Sequence, residues 1–122
     1  LVTMLDESVP QILFDKQQLQ QVLLNLVTNA VEAYSEATIE IRTNYISEKN
    51  EVRISVTDNG PGIIDEVRKM IFAQKITTKV NGHGYGLPIC KKIVENHNGI
   101  IEVESVVGRG TSFHLILPAE KG

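Results

Sequence analysis

Asp58-Asn59-Gly60-Pro61-Gly62-Ile63 follows an alternating run whose apolar members are Val52, Ile54 and Val56. The run reads as a half-buried β-strand, so it delivers a carboxylate to the end of a sheet. A carboxylate there can accept a hydrogen bond from an exocyclic amine such as that of adenine. The glycines that follow carry no side chains, so a flat ring can lie against the backbone. Alone, Asp-x-Gly-x-Gly is also the composition of an ordinary turn, and the surrounding chain has to decide between the two.

Upstream, residues 37–46 alternate in the same way through Ile39 and Ile41. They form a predicted hairpin with 51–58 around the polar link Ser47-Glu48-Lys49-Asn50. Before the hairpin, Leu19, Val22, Leu23, Leu26, Val27, Ala30 and Val31 fall at helical spacing. An amphipathic helix is therefore predicted from Lys16 to Tyr34, with Asp15 as its N-cap. The apolar stretches around Pro10, within residues 1–14, read as one or two edge strands. Downstream, Asp65 to Phe72 suits a short helix, and Ala73 to Gly84 has no periodicity and reads as a mobile loop. Tyr85 to Asn98 is predicted as a second long helix, with Leu87, Cys90, Ile93, Val94 and His97 on one side and Gly99 as its C-cap. Ile100 to Val107 and Thr111 to Leu117 close the chain as strands joined by the turn Gly108-Arg109-Gly110. Strands that come in hairpins imply a mixed, mainly antiparallel sheet of about five strands. About three helices should cover one face of it, which makes a two-layer α/β sandwich.

The chain of 122 residues suits one domain, residues 1–122, with a real core. Hydrophobic residues make up 42% and charged residues 22%, the balance of a globular chain. A net charge of −3 lacks the basic excess typical of nucleic-acid binding, so no nucleic-acid partner is expected, and any bound anion must meet local donors. No apolar stretch is long enough to span a membrane, and no signal peptide is visible, so no direct membrane contact is expected of this segment. The sequence starts at Leu1 without an initiator Met, as expected of a piece excised from something longer. A single cysteine, Cys90, excludes an internal disulfide framework and fits a reducing, cytoplasmic compartment. Its apolar neighbours mark it as a buried thiol.

Two further segments carry chemistry. Asn25 and Asn29 lie one helical turn apart, at the edge of the apolar stripe, with Gln18 and Glu32 along the same edge. Amides bordering a core are costly without partners. They either cap backbone and meet water, or they wall a cleft, where an amide oxygen suits Mg²⁺ shared with substrate phosphates. Farther on, Lys75, Thr77, Thr78 and Lys79 precede Gly82-His83-Gly84-Tyr85-Gly86-Leu87 at the start of a helix. Free N–H groups at a helix N-terminus bind phosphate, and lysines add charge. The glycines recur every second residue, unlike the P-loop or the dinucleotide fingerprint. Such a loop by itself is as consistent with a plain flexible connection. Gly108-Arg109-Gly110-Thr111, alone, is a hairpin turn with Arg109 in solvent. His83, His97 and His114 have no zinc spacing with Cys90. His97 reads as a core or capping residue.

Taken in order, Asn25-x-x-x-Asn29, Asp58-x-Gly60-x-Gly62, Phe72 with Thr77-Thr78-Lys79, Gly82-x-Gly84-x-Gly86-Leu87 and Gly108-x-Gly110-Thr111 resemble the ATP-binding catalytic domain of sensor histidine kinases. The resemblance runs from about Asp15 to Pro118 and implies the Bergerat α/β sandwich. It implies that Asp58 bonds the adenine amino group and that Gly60, Gly62 and Ile63 shape the adenine pocket. Asn29 would ligate Mg²⁺ with Asn25 nearby. Phe72 would begin an ATP lid. Lys75, Lys79 and the backbone of Gly82, His83, Gly84, Tyr85, Gly86 and Leu87 would meet the phosphates, Thr77 and Thr78 would belong to the same nucleotide-binding set, and Thr111 would support the adenine end. Asn25, Asn29 and Lys79 would then act in transfer of the γ-phosphoryl group to a histidine on a separate helical dimerisation domain, for relay to a response regulator.

The related hydrolysing ATPases typically place a glutamate where Asn25 stands. An amide is a poor base, which favours transfer over hydrolysis. This chain departs from the family where Glu32 and Ala33 occupy a stretch that often holds a phosphate-reaching Lys. It also departs at His83 and Tyr85, where Thr and Leu are common, and at Gln74-Lys75-Ile76, which replaces a frequent aromatic. Altered lid packing is expected, and little apolar surface from Ala73 to Asn81 anchors the lid without nucleotide. No histidine has the acidic neighbour of a phosphoacceptor, so the domain, a monomer in isolation, should bind ATP without completing autophosphorylation. An anti-sigma-type protein-serine kinase shares these boxes. A non-catalytic nucleotide-binding regulator is the reading from a different class.

Overall fold

A computed structural model describes residues 2–3, 14–70 and 86–119. Among these described residues five strands form one sheet in the order β1-β2-β3-β5-β4. They are β1 (Val2–Thr3), β2 (Ile39–Ile46), β3 (Glu51–Asp58), β4 (Ile100–Val106) and β5 (Gly110–Pro118). Only β1 is parallel to its neighbour, so the sheet is mixed and mainly antiparallel, as the hairpin reading predicts. The helices are α1 (Lys16–Ala33), α2 (Asp65–Met70) and α3 (Gly86–Asn96).

Strand alternation sorts the side chains into two layers. Val52, Ile54 and Val56 of β3 and Phe113, Leu115 and Leu117 of β5 are buried on one face. Val22, Leu26 and Ala30 of α1 and Leu87, Cys90, Ile93 and Val94 of α3 close over them. The opposite face is polar and internally bonded. There Ser55 Oγ lies 2.7 Å from His114 Nδ1, and His114 Nε2 lies 2.6 Å from Glu104 Oε1. The short α2 contributes no buried side chain. Among the described residues, no helix is long and apolar enough to cross a membrane.

The element ends follow from capping. Asp15 is extended and accepts from the Gln18 N–H at 3.0 Å, which starts α1. α1 stops at Ala33 because Tyr34 is extended. α3 ends at Asn96, and the left-handed residue is Asn98, with φ +64°, rather than the expected Gly99. The Gly99 N–H reaches Val94 O at 3.0 Å and the Asn98 N–H reaches Glu95 O at 3.0 Å, a Schellman closure. Gly99 is needed for space. A β-carbon there would sit 2.6 Å from Leu117 Cδ2 and 3.0 Å from Ile116 O.

His97 caps, as expected, and does so across elements. Its Nδ1 donates to Ile93 O at 2.7 Å, and its Nε2 accepts from the Asp15 N–H at 3.3 Å. The ring stacks on Phe14 with centroids 3.8 Å apart. The end of α3 is thereby tied to the start of α1.

Candidate functional site

The site forms where the C-terminal end of β3 meets the start of β5. Asp58 pairs with Thr111 across that ladder and with Ile39 on the other side. Alternation puts Asp58 and Thr111 on the helix-covered face, next to each other. Asp58 is half-buried and Thr111 is 6% exposed. The backbone N–H of Gly60 donates to Asp58 Oδ1 at 2.8 Å, an Asx turn that leaves Oδ2 without that partner. Asn59 Oδ1 accepts from the Thr38 N–H at 2.7 Å and ties the loop to the entry of β2. Gly60 is buried, and a side chain on it would meet Tyr34 Cβ at 3.6 Å, so the end of α1 closes one wall.

The turn read as a plain hairpin is the other support of this loop. The Gly108 N–H donates to Pro61 O at 2.8 Å. Gly62, at φ +81°, lies so close to β4 that a β-carbon would stand 2.5 Å from Val106 O. Gly110, at φ +143°, lies against Asp58, and a β-carbon there would overlap the Asp58 carbonyl oxygen. Both positions require glycine on conformation and on space. Arg109 is exposed, as expected.

Ser105 of β4, absent from the sequence-derived set, joins these pieces. Its Oγ accepts from the Ile63 N–H at 2.7 Å, donates to Gly110 O at 3.0 Å and lies 2.9 Å from Thr111 Oγ1. One signal could have found it. Ile101 and Val103 precede it at alternating positions, so Ser105 is a polar residue where β4 faces the core.

Asn29 lies five residues before Tyr34, about 7.5 Å along the axis of α1 at 1.5 Å per residue. It is half-buried, and its Nδ2 is buried without a hydrogen-bond partner. Among the described residues only Arg53 Nε, on the far face of β3, shares that condition. An unmatched buried amide is costly unless a ligand completes it. Its donor suits a phosphate oxygen and its oxygen a hard cation, so the residue fits Mg²⁺ with a polyphosphate. Asn25 is also half-buried, but its Nδ2 points to Cys90 Sγ at 3.8 Å across the α1–α3 seam. Burial pushes the Cys90 thiol above its ordinary value, an effect the Asn25 contact partly offsets.

At α3, Gly86 opens the helix, and the Leu87 side chain is 4% exposed within the core. That side chain is therefore committed to the core and is not available to a ligand. Phe72, Lys75, Thr77, Thr78, Lys79, Gly82, His83, Gly84 and Tyr85 lie outside the described residues, as does the expected lid. Among the described residues no group of three or more His, Cys, Asp or Glu could hold a metal ion.

The fold and these boxes agree with what the chain is similar to. Residues 14–121 match the family described as histidine kinase-, DNA gyrase B- and HSP90-like ATPase. The sensory histidine kinase/phosphatase NtrB of Vibrio alginolyticus is 37% identical over 93% of this chain and 35% of its own length. The catalytic domain of histidine kinase ThkA superposes with a TM-score of 0.83 at 36% identity, over 97% of this chain and 77% of that one. ThkA in complex with response regulator protein TrrA is matched at a TM-score of 0.78 and 34% identity, over 98% of this chain and 34% of that one. The chain belongs to the histidine kinase-, DNA gyrase B- and HSP90-like ATPases, as an ATP-binding domain of the sensor-histidine-kinase kind. It spans about a third or less of the length of the curated relatives it matches.

Proposed function

We propose that this domain binds Mg-ATP and passes the γ-phosphoryl group to a histidine of a helical dimerisation domain, for relay to a response-regulator aspartate. The carrying observation is the Asp58 turn. One carboxylate oxygen is held by the Gly60 N–H and the other lacks that partner, next to buried Thr111 in the ladder, while Asn29 on α1 carries an unmatched buried amide. In this reading the free oxygen accepts the adenine amine, while Gly60, Gly62 and Ile63 present backbone to the ring face. Asn29 contributes its amide oxygen to Mg²⁺ and its orphaned N–H to a phosphate oxygen. The N–H groups at the start of α3 and the lysines Lys75 and Lys79 meet the remaining phosphate charge. When bound, Mg²⁺ neutralises charge on the phosphates during transfer.

Asn25 supports transfer over hydrolysis. An amide engaged with a thiol takes no proton from water. The response regulator is supported by ThkA, which is matched in complex with response regulator protein TrrA, and the helical partner domain rests on the family resemblance. A cytoplasmic location for this segment, and a monomer in isolation, complete the proposal.

The test mixes the chain with a helical dimerisation domain that carries the acceptor histidine, using ATP labelled at the γ-phosphate. The expected product is a phosphoprotein that is labile to acid and stable to base, with little free phosphate from the chain alone. An acid-stable product would assign the transfer to a hydroxyl acceptor, and rapid phosphate release without acceptor would make the domain a hydrolase.

A further inference from the structure

We propose that Ser105 sets the base preference of the site by fixing the direction of the Thr111 hydroxyl. The proposal rests on the nucleotide reading above and adds a residue to it. Proton bookkeeping at Ser105 carries it. A hydroxyl has one hydrogen and two acceptor lone pairs. The Ile63 N–H can only donate, so it takes one lone pair of Ser105 Oγ, at 2.7 Å. Gly110 O can only accept, so it takes the single Ser105 hydrogen, at 3.0 Å. One lone pair remains, and Thr111 Oγ1 is 2.9 Å away. The Thr111 hydrogen must therefore point at Ser105.

The consequence falls on the cleft. Thr111 is paired in register with Asp58, and both are on the helix-covered face. With its hydrogen committed to Ser105, Thr111 shows the cleft lone pairs only. Asp58 Oδ1 is already engaged by the Gly60 N–H, and Oδ2 is also an acceptor. The adjacent pair is thus acceptor-only. Adenine offers an exocyclic amine, which donates, whereas guanine offers a carbonyl oxygen, which accepts. A purine with an acceptor at that position meets lone pairs on both residues and finds no hydrogen. Ser105 is a positioning residue: it touches the loop and Thr111, and acts on the base through them.

Without the Ser105 oxygen, the Thr111 hydroxyl can turn and donate into the cleft. ATP then loses a fixed acceptor while GTP gains a donor, so discrimination falls even where the fold persists. The experiment measures ATP and GTP binding calorimetrically, with Mg²⁺, for the chain and for Ser105→Ala and Ser105→Thr. The unaltered chain should prefer ATP. In Ser105→Ala the ATP:GTP affinity ratio should shrink by about fivefold or more, the scale of one neutral hydrogen bond. Ser105→Thr, which keeps the hydroxyl, should hold the ratio near that of the unaltered chain.

An unchanged ratio in Ser105→Ala overturns the proposal, even if both affinities fall together, because that is the mark of a merely loosened loop. Should Ser105→Ala not fold, Ser105→Cys replaces the oxygen by a weak acceptor and must also shrink the ratio, and an unchanged ratio there has the same force. Failure of the unaltered chain to bind ATP at all would sink the nucleotide reading itself, and this inference with it.

Discussion

The two oxygens of the Asp58 carboxylate are in different situations, and that difference can be separated by substitution. Oδ1 accepts from the Gly60 N–H and shapes the loop, while Oδ2 is free for a ligand. Asp58→Asn can keep its amide oxygen on Gly60 and so turns an NH₂ toward the cleft. A donor then faces the donor of adenine. ATP affinity should fall by about a hundredfold, the scale of a charge-assisted bond lost and replaced by a mismatch, with the thermal midpoint little changed. Asp58→Ala should abolish ATP binding and also loosen the loop. Near-normal calorimetric affinity in either variant would remove Asp58 from the adenine pocket. Asn29 makes the opposite case, because its Nδ2 contributes no bond to the fold described here. Asn29→Ala should leave unfolding free energy unchanged or raise it by up to about 1 kcal/mol, since an unmatched buried amide is removed. The same variant should retain much of its adenine contact and lose Mg²⁺-dependent transfer to an acceptor histidine. Unaltered transfer would refute the metal role, and a large loss of stability would show that the amide is structural.

At the level of elements, the proposed adenine end depends on how closely the β4–β5 turn approaches the end of β3. Gly110 is the tightest point, because its φ of +143° and its contact with the Asp58 carbonyl leave no room for a methyl group. Gly110→Ala should cost about 3 kcal/mol or more, from backbone strain plus displacement of the Asp58 strand end. Gly108→Ala, at φ +84° but with nothing within 4 Å, carries only the conformational penalty of about 1 kcal/mol. A denaturant series that ranked the two the same would remove the close-approach argument. This contrast also shows what the sequence could and could not disclose. Hydrophobic periodicity revealed both long helices and the two hairpins, because each buries one face and the period is local. The Asp58 turn was legible for the same reason: residue types and spacing declare it. Ser105 was legible only as a polar break in the alternation of β4, and its role was not, because its three partners lie 5, 6 and 42 residues away and meet only in the folded chain. The end of α3 was legible as a stop, but the left-handed position fell on Asn98. Gly99 is small because Leu117 packs over it, a contact between distant elements.

On the scale of the whole molecule, the two long helices are held over the sheet through a seam that includes Cys90. Cys90 is fully buried, accepts from Asn25 Nδ2 and donates weakly to Val22 O at 3.9 Å. Burial raises its thiol above the ordinary 9.0, so the folded chain keeps the proton at a pH where the unfolded chain releases it. The sign of the linkage follows. Below the unfolded value both states are neutral at this position and the stability of the seam is fully present. As pH rises through 9.0 toward the higher folded value, the unfolded state gains thiolate and stability falls. The slope approaches about 1.4 kcal/mol per pH unit for this one group. Tyrosines and lysines also titrate in alkali, so the measurement is a difference. Cys90→Ala should cost about 1 kcal/mol near neutrality for the lost buried atom. It should then lose stability less steeply than the unaltered chain between about pH 8 and about pH 10.5 in urea denaturation. The native chain should also resist alkylation by iodoacetamide until it unfolds, because the thiolate that reacts is the form that burial disfavours. Parallel pH profiles for the two chains, or rapid alkylation of the folded one, would show that the α1–α3 seam opens to water. The Cys90 contact would then not hold the Asn25 amide, and it would cease to support transfer over hydrolysis.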